Sequence, residues 1–252
     1  MGYWNKLKAD WYRRGLEHSE FPAAALGVML PRLKGAKSIL DVGAGCGSLT
    51  LPLAKKGFAV TALEPSIAML DILKRDTAAA KLRKVKTILG EWGKVSVKAH
   101  DVVVCANVPE LLKQPQAFVK EASGLARQTI FLIVNADPQS NKFYYRELYP
   151  LLFNKQWTAR SDYLQTYASL HEMGIYANIE MINYAFDQPF NDMNEAVAFW
   201  KEYIGIVTEE HDMTLKGFLE KKLVKKNKLL IARFNKRSAV IWWRSEKYGQ
   251  RV

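Results

Sequence analysis

Ser38-Ile39-Leu40-Asp41-Val42-Gly43-Ala44-Gly45-Cys46-Gly47-Ser48-Leu49-Thr50 is the stretch that decides how the chain folds. Ile39, Leu40 and Val42 make a short apolar run of the kind buried strands show, an acidic residue stands near its exit, and three glycines follow at alternating positions. Leu49 to Ala54 then reads as a helix. Without Cβ atoms, the glycines let backbone N–H groups come close to a ligand, and the new helix points its positive end at the same place.

Spacing selects the ligand. A dinucleotide fingerprint needs G-x-G-x-x-G. Gly43, Gly45 and Gly47 give G-x-G-x-G instead, with Ser48 where the third glycine would stand. Asp41, two residues before the first glycine, would repel a pyrophosphate but can pair with an ammonium group. A cofactor with an amino-acid tail and no phosphate satisfies both facts, and S-adenosylmethionine is such a molecule. Asp41 to Gly47, with Ala44 inside the turn, resembles motif I of the class I S-adenosylmethionine-dependent methyltransferases, the most specific signature of that family.

Downstream residues extend the resemblance. Gly57 closes the helix and Phe58 to Leu63 reads as a second strand with Glu64 at its end. An acidic residue about 20 positions past the glycine loop can take both ribose hydroxyls in two hydrogen bonds. Glu64-Pro65-Ser66-Ile67-Ala68-Met69-Leu70 resembles the family's next motif: Pro65 sets the turn, Ser66 caps the following helix, and Met69 is expected toward the adenine. A Glu before a helix is also a commonplace complement to the helix dipole. After the third strand, Val85 to Leu89, the resemblance makes Glu91 the acceptor for the adenine amino group and Trp92 the cover of its ring. Trp92 as a plug below the loop is the alternative.

Asp101 to Ala106 is a fourth strand, apolar enough to be buried on both faces. Asn107 and Val108 leave it beside the first strand's exit, at the switch point where ligands sit in a doubly wound sheet. The sequence there is neither Asn-Pro-Pro-Tyr nor Pro-Cys, so neither amine methylation of a nucleobase nor a Cys105 nucleophile is signalled. Cys105 reads as a small buried hydrophobe. Gln114 to Arg127 forms a helix, Thr129 to Val134 a fifth strand, Asp137 to Ser140 a turn, Asp162 to His171 a helix stopped at Gly174, and Ile179 to Phe186 a sixth strand. Ser238 to Arg244 is the last.

This alternation demands a doubly wound α/β sheet, mainly parallel and covered on both faces. The resemblance adds seven strands in the order 3-2-1-4-5-7-6, the last antiparallel. It spans Ser38 to Phe186 and Ser238 to Arg244. One methyltransferase domain over 1–252 is expected: N-terminal lid helices at 1–35, the core at 38–186 and 238–244, and a helical insertion at 191–228.

With 252 residues and 49% hydrophobic content, the chain can bury a sizeable core. No run reaches the roughly 18 apolar residues of a membrane span, and the polar, aromatic start, Met1 to Asp10, carries no secretory h-region. Two cysteines, Cys46 and Cys105, make no disulfide framework and, without histidine partners, no metal site; the expected setting is the reducing cytoplasm. Monomer and homodimer are both open.

Tyr3 to Glu17 places aromatics on one side of a helix. It reads either as a helix packed over the core edge or, as in many small-molecule methyltransferases, as a lid with Trp11, Tyr12 and His18 lining a substrate pocket. Tyr144 and Tyr145, just past the fifth strand, are expected to shape that pocket. Methyl transfer to a nucleophile needs in-line approach and exclusion of water, and a base only if the nucleophile arrives protonated. The four histidines (His18, His100, His171, His211) are base candidates outside every family motif, so no catalytic residue is assigned.

The formal charge of +12 concentrates in Lys216 to Arg237, where nine Lys and Arg face Glu220 alone. Such a face can hold phosphates. It is also what the solvated side of an amphipathic helix through Leu215, Phe218, Leu219 and Leu223 looks like, and no aromatics interleave with the cations in a stacking-platform pattern. A small-molecule acceptor is expected, with S-adenosyl-L-homocysteine as product. RNA and a non-catalytic cofactor-binding role are the alternatives.

Overall fold

The computed structural model describes residues 3–137, 141–158 and 163–245, with Lys142 described in its backbone only. The expected turn at 138–140 and the helix start at Asp162 lie outside the described residues. Asn5 caps α1 (Lys6–Glu17) by accepting the Lys8 amide at 2.8 Å, and α2 (Phe21–Met29) follows before β1 (Ser38–Val42). Next come α3 (Thr50–Lys55), β2 (Ala59–Glu64), α4 (Ile67–Ala79), β3 (Val85–Leu89) and β4 (His100–Ala106). Ser66 caps α4 through the Met69 amide, the role its position predicts. Two helices, α5 (Pro109–Leu112) and α6 (Gln116–Leu125), lead to β5 (Ala126–Asn135).

Four parallel pairings join β3, β2, β1, β4 and β5 in that order. The second half of the chain adds α7 (Tyr145–Phe153), α8 (Tyr163–Glu172), β6 (Asn178–Ala185), β7 (Gln188–Phe190), α9 (Met193–Ile204), α10 (Asp212–Lys222), β8 (Val224–Lys226), β9 (Leu229–Ala232) and β10 (Asn235–Arg244). β10 runs antiparallel between β5 and β6, so the seven-stranded sheet reads β3-β2-β1-β4-β5-β10-β6. Counting only its own strands, this is the expected order 3-2-1-4-5-7-6.

The central strands are apolar on successive residues because both faces are covered. Ile39, Val104, Phe131 and Val240 point into a layer with Phe21, Met29 and Leu53 of α2 and α3. Leu40, Val103, Leu132 and Ile241 point the other way, onto Phe118 and Val119 of α6 and Leu170 of α8. A third core lies outside the sheet, where Trp11, Phe143, Phe190, Phe199, Trp200 and Leu215 join α1, α7, α9 and α10 into a cap.

The cap corrects one expectation: the insertion is not purely helical. β7, β9 and β8 form a second, three-stranded antiparallel sheet in that order. Its hairpin turns at Asn227, which adopts a left-handed φ of 56°. Lysines at 225, 226 and 228 hide the strand pattern in the sequence. A smaller correction concerns α6, which ends at Leu125; Ala126 pairs with His100 and so belongs to β5.

Candidate active site

The parallel register aligns the strand exits. Val42 pairs with Leu63 and with Cys105, so Gly43, Glu64 and Asn107 leave neighbouring strands at one edge of the sheet. The turn after β1 is tied to β2 by Gly43 and Ala44 amides donating to the Leu63 carbonyl at 2.8 and 3.1 Å. Gly43 has φ +69°, and a Cβ there would lie 2.3 Å from Val108 Cγ2. Gly47 has φ +94°, with Leu73 Cδ1 2.5 Å from the same construction. Gly45, at φ +56°, has no atom within 4 Å of where its Cβ would be. The outer two glycines are thus required by packing, and the middle one faces open space.

Two carboxylates flank this turn in the interior. Asp41 is 2% exposed and accepts a hydrogen bond from the Thr50 hydroxyl at 2.6 Å. Burial pushes its pKa up to about 6, against the restraining Thr50 bond and with Glu64 adding to the rise. Glu64, 5% exposed, accepts the Gly45 amide on Oε2 at 2.8 Å and the Ser66 amide on Oε1 at 2.9 Å. Burial raises its pKa as well, while those two amides hold it down. Neither carboxylate has a Lys, Arg or His partner among the described residues. Two buried carboxylates facing one another through a glycine turn leave a negative site that a cationic ligand would neutralise.

Elements around the turn close over it. Trp4 and Tyr12 of the N-terminal segment pack with Ala9, Cys46 and Met69, their rings 5.3 Å apart edge to face. Met69 therefore lies beneath this roof, and Pro65 is exposed beside it. The Tyr12 hydroxyl sits by Ser48, and burial drives its pKa far above the phenol range, with Cys46, Tyr184 and Asp41 nearby. Arg13 pairs with Asp76 at 3.0 Å and locks α1 onto α4. Tyr3, ahead of α1, is close enough to Glu110 past β4 that burial first and that charge second raise its pKa. Tyr3 and Trp4, read from the sequence as part of the first helix, lie ahead of its Asn5 cap, and the Asn before the helical run is the signal that places the boundary there.

The remaining expected residues divide. Asn107 leaves β4 with φ +57°, its amide donating to Ile133 at 2.9 Å, and Val108 lies against Gly43. Gly90 donates to the Glu64 carbonyl at 3.2 Å, which brings the Glu91-Trp92 loop beside β2's exit. Glu91 itself is exposed and ion-paired to Lys94 at 2.6 Å. Trp92 packs 4.9 Å from the Phe118 ring, with its indole N–H buried and unpaired among the described residues.

Three residues expected in a substrate pocket are elsewhere. Trp11 is 1% exposed and belongs to the cap core, its indole N–H donating to Glu195 at 3.0 Å and its ring edge-on to Phe199. His18 is exposed at the end of α1, where its carbonyl accepts from Asp187. Tyr145 is buried in the cap and donates to the Tyr203 carbonyl at 3.2 Å. Tyr144 keeps partial exposure, stacked parallel to Trp200 at 5.8 Å, with burial pushing its pKa up to about 12. The sequence showed Tyr144 and Tyr145 as aromatic and just past β5, but the cap core they join is completed by residues of α1, α9 and α10.

No histidine reaches the turn. His100 begins β4 at the opposite end of the sheet, with Nδ1 2.7 Å from the Lys98 carbonyl and Nε2 2.8 Å from the Thr61 hydroxyl; burial lowers its pKa. His171 contacts Tyr176 and His211 contacts Phe153.

Residues 39–128 match the family model of the methyltransferase domain. A protein of Methanosphaera stadtmanae named "Probable ribosomal RNA small subunit methyltransferase A" is 39% identical over 82 residues, 32% of this chain and 30% of that relative. The chain thus spans less than a third of that curated relative's length. An uncharacterized protein of Haemophilus influenzae is 24% identical over 217 residues, 84% of this chain and 77% of that one. The structure of magnesium protoporphyrin IX methyltransferase from Synechocystis, with bound SAH, superposes with a TM-score of 0.51 at 14% identity, covering 96% of this chain and 89% of that one. The fold is that of the class I, Rossmann-like methyltransferases.

Proposed function

We propose that this chain, whose residues 39–128 are a methyltransferase domain, transfers the methyl group of S-adenosyl-L-methionine to a small-molecule nucleophile. One observation carries the reading: Asp41 and Glu64 are buried on either side of a glycine turn with no cation among the described residues to balance them. The cofactor brings an ammonium, a sulfonium and two ribose hydroxyls, and Gly45 leaves room for it. In this reading Asp41 pairs with the ammonium, Glu64 receives the ribose hydroxyls, and the Gly43-Ala44-Gly45-Gly47 backbone lines the tail. Glu91 and Trp92 flank the adenine, while Asn107 and Val108 border the reacting edge. Pro65 shapes the rim and Met69 supports it from beneath the roof.

When bound, the cofactor supplies an activated methyl group on a positively charged sulfur. The chain's own work is then positional. Trp4 and Tyr12 exclude water above the turn, and the exits of β4 and β5 leave an approach for the acceptor. A covered site of this kind suits a small acceptor. With no histidine at the turn among the described residues, catalysis rests on orientation rather than on an assigned base. Two buried, unpaired cysteines, Cys46 and Cys105, fit a reducing, cytoplasmic setting. Among the described residues no helix is long and apolar enough to cross a membrane.

An RNA acceptor is the second reading, supported by the basic stretch 216–237 and by the printed name of the Methanosphaera relative. Calorimetry with S-adenosylhomocysteine, followed by methyl transfer from labelled cofactor into fractionated cell extract, tests both. Label in the metabolite fraction is expected; label in RNA favours the second reading, and cofactor uptake with no transfer to any fraction points to a non-catalytic binder. A chain that takes up NAD and ignores S-adenosylhomocysteine overturns the assignment.

A further inference from the structure

The cation-rich stretch is resolved into a surface by the cap. Residues 216–237 carry nine Lys and Arg against one Glu, a net +8 out of the chain's +12. Lys216 and Lys221 lie on α10, Lys225 and Lys226 on β8, Lys228 in the hairpin turn, and Arg233 just past β9. All six are exposed, and none has an ion pair among the described residues. Lys222 differs, being bound to Glu147. Charged side chains on an edge strand such as β8 do guard against edge-to-edge pairing. That need is met by one or two lysines and does not account for a strip running from a helix, through a hairpin, to another sheet.

Aromatic surface, which does not alternate with these cations along the sequence, is placed beside one of them by the fold. The Lys222 ammonium lies 5.6 Å from the ring centres of both Tyr144 and Phe218, and both rings are partly exposed. The Tyr144 hydroxyl donates to the Arg233 carbonyl at 3.4 Å. Farther along, Lys236 stands 3.9 Å over the ring of Phe186, which is buried. The strip ends beside a cleft of about 440 Å³ at the end of β5, β10 and β6, where Lys236 and Arg237 are balanced by the carboxylates Glu20 and Asp137. Arg237 is oriented there by its Nε donating to Asn183 Oδ1 at 2.8 Å.

We propose that this strip docks single-stranded nucleic acid, the cations following the phosphates and the partly exposed Tyr144 and Phe218 rings lying among them for contact with the bases. The docking surface is separate from the glycine turn and does not depend on the methyltransferase reading. It bears on that reading in one way: a strand lying along the strip brings a nucleotide to the sheet edge on which β4 and β5 end.

Fluorescence anisotropy of a labelled 12-nucleotide oligouridylate, with the full chain, tests the proposal. Binding is expected at 50 mM KCl, with log affinity falling against log salt at a slope of about −4 for six phosphate contacts. The triple substitution K225Q/K226Q/K228Q should weaken binding at least tenfold and flatten the slope by about 2. K55Q/K56Q/K74Q removes the same charge from exposed positions on α3, beside it and on α4, and should change affinity less than twofold. No binding at 50 mM KCl overturns the proposal. So do equal losses in the two variants, which would reduce the effect to net charge, or binding to anionic phosphatidylglycerol vesicles without binding to the oligonucleotide. Calorimetry with S-adenosylhomocysteine on the same samples reports separately on the cofactor reading and on whether each variant is folded.

Discussion

The Glu64 carboxylate and the Gly45 amide are joined at 2.8 Å across the gap between β2 and the turn after β1. With its other oxygen on the Ser66 amide at 2.9 Å, Glu64 clasps the glycine turn to the start of α4. The same side chain proposed to grip the ribose therefore also shapes the loop that would receive the amino-acid tail, and its loss should be felt in both places.

Asp41→Ala and Glu64→Ala should each weaken S-adenosylhomocysteine binding by about 1–3 kcal/mol, the usual loss for a hydrogen bond to a charged group. Their effects on stability should differ. Asp41→Asn keeps a partner for the Thr50 hydroxyl while removing a buried charge, so its melting temperature should hold or rise. Glu64→Ala strips two backbone amides of their acceptor and should lower it. Equal affinity for wild type and both alanine variants would contradict the assigned roles.

Cofactor uptake should be linked to a proton. The pKa of Asp41 is near 3.8 unfolded and about 6 in the fold, so the folded chain holds this proton more tightly. Burying the charge thus costs stability above about pH 6, and that cost vanishes as the pH falls toward 4. Binding runs the other way, because an ammonium needs the carboxylate ionised. Affinity for S-adenosylhomocysteine should be flat above about pH 7 and drop below about pH 6, by at most tenfold per unit. Calorimetry in two buffers of different ionisation enthalpy would show the released proton; a pH-independent affinity between 5 and 7.5 excludes Asp41 as the partner.

The three glycines should separate folding from binding. Gly43→Ala drives a methyl group into Val108 and Gly47→Ala drives one into Leu73, each at a left-handed φ, so both should cost about 2–4 kcal/mol of stability. Gly45→Ala meets nothing and should cost only about 1–2 kcal/mol for its φ. Its methyl group stands in the space offered to the ligand, so the predicted signature is a folded protein with at least tenfold weaker binding. Thermal melts beside calorimetry on the three variants decide it.

Glu195 ties the roof to the cap. It accepts from the Trp11 indole at 3.0 Å and from the Asn191 amide at 2.7 Å, and it pairs with Arg14. Glu195→Ala leaves a buried indole N–H unpaired and should destabilise the chain by about 2–3 kcal/mol, with red-shifted tryptophan emission. Glu195→Gln should recover part of the loss. Identical melts for wild type and Glu195→Ala would show that α1 is held by other contacts.

What was legible in the sequence was local. Ile39 to Gly47 announces a buried strand and a tight turn because the apolar run and the left-handed glycines are demanded by neighbouring residues. Glu64 and Asn107 could be placed beside that turn because parallel strands joined by helices admit few arrangements. The aromatic residues were another matter. Trp11, Tyr144 and Tyr145 carry no mark of whether they line a pocket or fill a core, since a ring's surroundings come from segments far along the chain.

The sequence by itself determined the doubly wound sheet, its strand exits and the acidic glycine turn, because hydrophobic period and backbone strain act over a few residues. Only the tertiary structure decided which side chains close over the turn, that Asp41 and Glu64 are buried without a cation among the described residues, and that 224–232 is a hairpin rather than a charged helix face. Those outcomes depend on burial and on partners such as Trp4 with Met69 or Trp11 with Glu195, which are 65 and 184 positions apart along the chain. Desolvation, which sets the charge behaviour of the site, exists only once such distant segments have packed.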